Sequence, residues 1–440
     1  MRKIILTLIA LVFLAFLPVA CGIVDIGSPG DSGGSGGSKY GGGDGTSGYP
    51  SSSAPPVSGE GGFDLAGDGD SGTVNGPKAG QLTAGEWSDI KNYQFYLDLF
   101  GVTEDPDVEE SQRRDSFSKF INYFGFETRF MVTVNVAYGE APAGDALVEL
   151  YDSGQNLLYT AKTDVRGNAY LFPSSDLNGE NITVKAKSGS HEATEAFVYA
   201  KEPLRINLEG AAATQSVLDI MFVVDTTGSM GDELNYLKNE ISDVIGSISG
   251  KNANYTINLA LLFYRDIGDE YVTRYFDFST NIKQQQQNLA KQSANGGGDF
   301  PEAMDKALSE AVGKNWSDAY ATRLIFHVCD APPHNGQEIE TRYFNSIKTA
   351  AQKGIRIIPV ASSGIDKATE FLLRQEALMT GGTYIFLTDD SGIGDSHLQA
   401  TVGEYTVEYL NACLVRIVNE YLTGVETEPV YYKTASSTAQ

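Results

Sequence analysis

The stretch Asp219–Leu234, "DIMFVVDTTGSMGDEL", joins an apolar run to three oxygen-bearing side chains at alternating positions. These side chains belong to Asp225, Thr227 and Ser229, and Gly228 between them permits a tight turn. One carboxylate and two hydroxyls at this spacing fit three structures: a turn that ends a strand, a cage for a hard cation, or the phosphorylated aspartate of an enzyme. Residues elsewhere in the chain must distinguish between these uses.

Apolar runs and amphipathic stretches alternate between residues 216 and 424. The runs are "DIMFVVD", "INLALLFY", "RLIFHVCD", "IRIIPVA" and "TYIFL". Continuous apolar strands separated by helices are typical of a parallel sheet that is covered on both faces. We therefore predict an α/β fold with a doubly wound, mostly parallel sheet. In such sheets the ligand site lies beyond the carboxyl ends of the strands.

Two further acidic segments are predicted to reach the same edge of this sheet. "RLIFHVCDAPPHNG" ends an apolar strand at Asp330, and "SANGGGDFPEAM" places Asp299 in a glycine-rich loop before a helix that Pro301 and Glu302 open. Their oxygen atoms suit Mg²⁺, Mn²⁺ or Ca²⁺ better than zinc or copper. The predicted metal ligands are Asp225, Thr227, Ser229, Asp299 and Asp330.

Three segments in this order, "FVVDTTGSM", "GGGDFPEAMDKAL" and "VCDAPPH", resemble the von Willebrand factor type A domain, with elements of its hemicentin-type subgroup. The resemblance implies a Rossmann-like fold and a metal ion-dependent adhesion site, with Asp225, Thr227 and Ser229 in its first loop and Asp330 in its third. Asp299 or its neighbourhood stands where the family offers a threonine; binding of Asp299 through water, or a side chain turned away from the ion, are the alternatives. A third carboxylate would offset the charge of an Mg²⁺ ion and weaken its attraction for an acidic partner.

Residues 128–209 have a different periodicity, because apolar and polar residues alternate, as at Val132, Val134 and Val136. About seven short runs of this kind, separated by turn signals, predict a β-sandwich. "GEAPAGDALVEL" and "YTAKTDVRGNAYL" resemble the carboxypeptidase regulatory-like (transthyretin-like) module, which implies a spacer or binding platform. Residues 82–127 are predicted to form a helical lead-in, capped by Thr83, with Trp87 on its apolar face.

The N-terminus has the layout of a secretory signal over residues 1–20, with Arg2 and Lys3 before an apolar run. "LPVAC" resembles the lipobox of bacterial lipoproteins, which implies lipidation of Cys21, although Pro18 replaces the usual leucine. Secretion after cleavage near Ala20 is the alternative. Residues 21–81, rich in Gly and Ser, predict a disordered tether, and 425–440 a loose tail. A lipid would be the only membrane anchor, on an exported protein of the cell envelope.

The charge of the chain excludes some partners. It carries 57 acidic and 32 basic residues, a net charge of −25, which argues against binding to nucleic acid or to anionic lipid. Cys329 and Cys413 lie in apolar sequence and fit either buried thiols or a disulfide. His327 and His334 are expected to be structural, and "FYRDIGD" is expected to supply charges at the rim or an internal ion pair.

Three functions remain open. The first is a non-catalytic binding protein that engages another protein or a cell-surface ligand through Mg²⁺ or a similar cation. The second is a structural or assembly protein whose metal only stabilises the fold. The third is an aspartyl-phosphate hydrolase, because "DTTGS" resembles the "DKTGT" of P-type ATPases. However, no lysine or second aspartate follows Asp225 within two positions, so we predict that the chain is not an enzyme.

Overall fold

The strand that ends at Asp225 lies inside an eight-stranded sheet of the computed structural model, which describes residues 77–101, 117–252, 254–318 and 320–431. The predicted signal, Cys21, most of the predicted tether and residues 432–440 of the predicted tail lie outside the described residues.

The strands are β1 Thr83–Trp87, β2 Val132–Tyr138, β3 Ala141–Pro142, β4 Leu147–Tyr151, β5 Leu157–Lys162, β6 Asn168–Leu171, β7 Asn181–Ser188, β8 His191–Val198, β9 Leu204–Asn207, β10 Val217–Asp225, β11 Thr256–Tyr264, β12 Thr273–Ser279, β13 Ala321–Cys329, β14 Ile355–Ala361, β15 Tyr384–Leu387 and β16 Glu408–Tyr409. The helices are α1 Tyr93–Asp98, α2 Ser118–Phe124, α3 Leu234–Lys251, α4 Ile282–Ala290, α5 Met304–Gly313, α6 Gln337–Lys353, α7 Lys367–Thr380 and α8 Leu410–Thr423. Within the described residues, no helix has both the length and the apolar composition needed to cross a bilayer.

The large sheet has the strand order β12-β11-β10-β13-β14-β15-β1-β16. The five strands from β11 to β15 in this order are parallel to one another, while β12, β1 and β16 pair antiparallel with their neighbours. The predicted α/β class with a mostly parallel sheet is therefore confirmed. Because parallel strands share a direction, β10 and β13 end at the same edge, and this brings their acidic termini together.

Helices cover both faces of the sheet, and each face has its own apolar core. Phe222 and Val224 of β10 belong to the core that includes α3 and α8, whereas Met221 and Val223 belong to the core on the side of α5, α6 and α7. β10 is buried from its second residue onward, which explains why its sequence is apolar apart from Asp219 and the terminal Asp225. Cys329 and Cys413 are both free and buried, and they lie in opposite cores, so the disulfide alternative does not hold.

The predicted lead-in differs from the structure at its start. Residues 83–87 form a strand that pairs with β15 and β16, and the first helix begins only at Tyr93. Gly85 explains the close pairing, since a Cβ atom there would lie 2.5 Å from the ring of Phe386. The segment before the small β domain thus contributes an inner strand to the large sheet.

Residues 131–208 form two four-stranded sheets, one built from β3, β2, β6 and β9 and the other from β5, β4, β7 and β8. Their buried residues alternate with partly exposed ones, as the period of two predicts. This part shares an apolar cluster with α6 and α7 of the α/β part. Polar groups also join the two: Arg323 of β13 donates to Asp145 at 2.8 Å, and Arg356 of β14 donates to the carbonyl of Lys162 at 2.8 Å. The described residues all belong to one compact unit.

Candidate functional site

Two buried carboxylates stand at the carboxyl ends of adjacent strands. β10 ends at Asp225, and β13 ends immediately before Asp330; the two strands are paired in register up to Val224 and Val328. Asp225 is fully buried and Asp330 is 4% exposed. The parallel sheet therefore brings together the two aspartates that the sequence placed at separate strand ends.

The first loop folds around Asp225. The backbone N–H and the hydroxyl of Thr227 both donate to Oδ1 of Asp225, at 2.9 and 2.7 Å. The hydroxyl of Ser229 lies 3.2 Å from that of Thr227. Residues 228–231 then form a short 3-10 turn, and Gly228 and Ser229 are exposed while Thr227 is buried. Three of the predicted ligands thus form one contiguous polar group with an outward-facing side.

The glycine-rich second loop is hydrogen-bonded to its neighbours through its backbone. Asn295 donates its N–H to the carbonyl of Thr226, and Gly228 donates to the carbonyl of Gly296. Gly296 has a φ of +82°, and a Cβ atom there would lie 2.3 Å from a carboxylate oxygen of Asp269, so a side chain is excluded on both counts. The backbone of this loop therefore lies directly against the first loop.

Glu302, which the sequence predicts only as a helix-opening residue, is the buried acid of the second loop. It is 3% exposed, its N–H donates to the carbonyl of Pro332 at 2.9 Å, and α5 begins two residues later at Met304. Asp299, the predicted ligand of this loop, is exposed. The structure thus brings Glu302 to the two aspartates and leaves Asp299 on the surface.

Three carboxylate oxygens, one from each loop, are buried and have no hydrogen-bond partner among the described residues: Oδ2 of Asp225, Oε2 of Glu302 and Oδ1 of Asp330. Burial raises the pKa of Asp225 to about 6. Burial, together with the charges of Asp225, Asp266 and Asp330, raises the pKa of Glu302 to about 9. Burial and the nearby Asp225 also raise the pKa of Asp330 well above its usual range. Unpaired buried acceptors of this kind are costly unless something positive offsets them.

The donor set is suited to a hard cation but not to one held by carboxylates alone. Within the described ranges, no three His, Cys, Asp or Glu side chains are arranged to hold an ion together. An ion at this edge would therefore need the hydroxyls of Thr227 and Ser229, with water between it and some of the carboxylates. Oxygen donors in this mixture suit Mg²⁺, Mn²⁺ or Ca²⁺.

Charged residues near the site form hydrogen bonds and ion pairs with the loops and with one another. Arg265 is 3% exposed; it donates to the carbonyls of Thr226 and Ser293 and pairs with Glu270 at 3.4 Å. His334 lies 2.6 Å from Oδ1 of Asp266, and His327 lies within β13, fully buried. Nδ1 of His327 is 2.9 Å from a carboxylate oxygen of Glu376.

A second feature absent from the sequence-based prediction joins the loop after β15 to the start of α3. Nε2 of His397 lies 2.9 Å from Glu233, and Nδ1 lies 2.8 Å from Asp389. Asp395 also donates its N–H to Asp232 at 2.8 Å. Burial by itself would lower the pKa of His397, but these two carboxylates raise it overall. No spacing in the sequence indicates the pairing, because 164 residues separate His397 from Glu233.

Residues 219–394 match the family model of the von Willebrand factor A domain. Over 235 residues the chain is 28% identical to an ariadne-like RING finger protein, R811, of Acanthamoeba polyphaga mimivirus, an alignment that covers 49% of this chain and 22% of that protein. Over 135 residues it is 27% identical to the alpha-protein kinase vwkA of Dictyostelium discoideum, covering 30% of this chain and 21% of the kinase. The chain thus aligns with only about a fifth of the length of either relative.

Two solved structures are also similar. One is the conserved hypothetical protein BatB from Bacteroides thetaiotaomicron, with a TM-score of 0.31 and 15% identity, covering 38% of this chain and 89% of that one. The other is an aerotolerance-related membrane protein from Bacteroides fragilis, with a TM-score of 0.25 and 12% identity, covering 48% of this chain and 92% of that one.

Proposed function

We propose that the von Willebrand factor A segment of this chain binds a partner protein or a surface ligand through a divalent cation, and that it does so without catalysis. The proposed ligands, direct or through water, are Asp225, Thr227, Ser229, Glu302 and Asp330. The observation that carries the proposal is the set of three buried carboxylate oxygens, one on each loop, that lack hydrogen-bond partners within the part of the chain that the structure describes.

These oxygens accept no hydrogen bond from the described residues. A cation at this position would offset the cost of burying them, because its positive charge would stabilise the carboxylates. The same position would remain open to a partner. Gly228 and Ser229 are exposed, so the outer side of the first loop faces solvent. The proposed ion would have the buried carboxylates on its inner side and solvent on its outer side. On that outer side it could bind one oxygen atom of another molecule.

In this proposal Glu302, and not Asp299, supplies the acid of the second loop, and the consequence for the partner is the same. A third carboxylate beside the ion offsets part of its charge. The attraction for an acidic partner is then weaker than at a site with two carboxylates. This observation favours the second candidate, a structural or assembly protein whose cation only stabilises the loops. The two candidates differ in whether removal of the cation releases a partner from a chain that remains folded.

The aspartyl-phosphate hydrolase is less compatible with the position of Asp225. This carboxylate is fully buried, and one of its oxygens accepts two hydrogen bonds from Thr227. A nucleophile that attacks a phosphate group needs an accessible oxygen, and the exposed members of this loop are Gly228 and Ser229 instead. We therefore retain the non-catalytic proposal.

We further propose that the protein is exported and held at the cell envelope by a lipid on Cys21, with the glycine-rich segment as a tether. The support is the signal-like N-terminus and the lipobox resemblance. Cys21→Ser is expected to move the protein from the membrane fraction to the soluble fraction. Unchanged fractionation would favour plain secretion.

The binding proposal is tested by capture from surface extracts with the purified chain immobilised. A partner retained in Mg²⁺ and released by a chelator, and absent from Asp225→Asn beads, is the expected result. Asp299→Asn, which changes an exposed acid of the neighbouring loop, serves as the control and should capture normally. If neither the chelator nor Asp225→Asn affects capture, the partner binds to the sandwich or to another face, and the proposal is wrong.

A further inference from the structure

We propose that Ile267 and Phe300 form an apolar rim beside the cation loops, and that this rim selects partner segments whose metal-binding oxygen is flanked by apolar side chains. The inference rests on the proposed cation-dependent binding and adds the chemistry of the partner. It assigns a recognition role to two residues that no step of cation binding uses.

The two residues lie on neighbouring loops that are joined by hydrogen bonds to the carboxylate of Asp269. Oδ2 of Asp269 accepts from the backbone N–H of Asp266 at 3.1 Å and from that of Gly297 at 2.9 Å. Ile267 lies between Asp266 and Asp269 in the sequence. Phe300 lies between Gly297 and the buried Glu302. Because the second loop also bonds to the first loop through Gly228, both apolar residues belong to the framework that surrounds the proposed ion.

The rim residues are exposed where their apolar neighbours are not. Ile267 is 54% exposed and Phe300 is 39% exposed, whereas Met230 of the first loop and Ala303 at the start of α5 are at most 1% exposed. A single exposed apolar residue on a surface is ordinary. Two of them on hydrogen-bonded loops at one polar site indicate a surface that becomes buried when another molecule binds.

The charge around the rim restricts the partner further. Asp232, Glu270 and Asp299 are all exposed on these loops. Glu270 is paired with Arg265 and Arg274, so Asp232 and Asp299 make the surface around the proposed ion acidic. A segment with several carboxylates would be repelled, while a segment with one oxygen donor and apolar neighbours would not. The occupant that fits is therefore a peptide segment with a single such donor and apolar residues on both sides.

The test uses two labelled peptides that have one central aspartate, flanked by leucines in one and by serines in the other. Their binding to the purified chain is followed by fluorescence anisotropy in Mg²⁺ and in chelator. We expect the leucine peptide to bind at least about tenfold more tightly, which partial burial of two apolar side chains would supply. The preference should disappear in the double variant Ile267→Ser/Phe300→Ser.

A matched control replaces exposed apolar residues away from the site. Leu157 and Val198 in the sandwich are 52% and 67% exposed, and Leu157→Ser/Val198→Ser should keep the preference. Equal affinity for the two peptides, or a preference that survives in the rim variant, would overturn the inference. The Mg²⁺-dependent rise in melting temperature is measured in parallel on every variant. If the melting temperature still rises with Mg²⁺ but the leucine peptide is not preferred, the proposed role of the rim is wrong and the cation site is retained.

Discussion

The backbone N–H of Glu302 donates to the carbonyl oxygen of Pro332 at 2.9 Å, and this bond joins the second loop to the loop that carries Asp330. The neighbouring residues Glu302 and Pro333 also form an isolated β-bridge. These contacts fix the backbone just before α5. They hold the side chain of Glu302 in the interior beside Asp225 and Asp330. The bond explains why Glu302, and not Asp299, is the buried acid of this loop.

We therefore expect Glu302→Gln and Asp299→Asn to behave differently. Above pH 9, where Glu302 ionises in the folded chain, removing its charge should raise the melting temperature in chelator, because one buried charge is lost. It should also change the affinity for Mg²⁺ by about tenfold or more. Asp299→Asn should alter both quantities very little, because Asp299 is exposed. Calorimetric titration with Mg²⁺ checks the prediction, and equal effects of the two variants would contradict it.

Asp225→Asn is expected to stabilise the chain in chelator, by about 1–3 kcal/mol, while abolishing the rise in melting temperature with Mg²⁺. The comparison is with Asp219→Asn at the other end of β10. Asp219 is equally buried, but its oxygens accept from Ser317 at 2.7 Å and from Asn258 at 2.8 Å. That variant should be destabilised with and without the cation. If Asp225→Asn lowers the melting temperature in chelator as Asp219→Asn does, its carboxylate is structural.

The pH dependence of stability should differ between chelator and Mg²⁺. The folded chain raises the pKa of Asp225 from 3.8 to about 6 and that of Glu302 from 4.5 to about 9. A carboxyl with a raised pKa binds its proton more tightly in the folded state, so stability in chelator should fall as pH rises through these intervals. A bound cation favours the ionised forms, so the difference in melting temperature between Mg²⁺ and chelator should grow from pH 5 to pH 8. A constant difference would contradict the account.

His397 is expected to titrate above its ordinary pKa of 6.5, because Glu233 and Asp389 stabilise its charged form. The stabilisation should be fully present below the ordinary pKa and lost as pH rises through the raised one. NMR titration of the histidine Hε1 signal, assigned with His397→Gln, measures the pKa directly. The same variant should increase the amide exchange of residues 393–397 relative to their intrinsic rates. A pKa at or below 6.5 would show that burial outweighs the two carboxylates.

The α/β fold could be predicted because its strands bury both faces. β10 and β13 therefore have mostly apolar sequences, and their direction brings Asp225 and Asp330 to one edge. The strand at Thr83–Trp87 could not be predicted in this way. Its residues are mostly small, and it becomes a strand only because β15 and β16 pair with it on either side.

The first loop of the site was also readable, since Asp225, Thr227 and Ser229 lie within five residues of one another and interact locally. The second loop was not. Asp299 follows three glycines and looked like the residue that approaches a ligand, but the orientation of Glu302 depends on a bond to Pro332, 30 residues further along the chain. The pairing of His397 with Glu233 is likewise tertiary.

The proposed cation at the edge of the sheet where β10 and β13 end is tested most directly by crystals soaked in Mn²⁺. Anomalous diffraction should show a peak within coordinating distance of the hydroxyls of Thr227 and Ser229, with Asp225, Asp330 and Glu302 around it directly or through water. The peak should be absent from Asp225→Asn crystals. A wild-type map with no peak at these hydroxyls, at a Mn²⁺ concentration that saturates the thermal response, would contradict the proposed site.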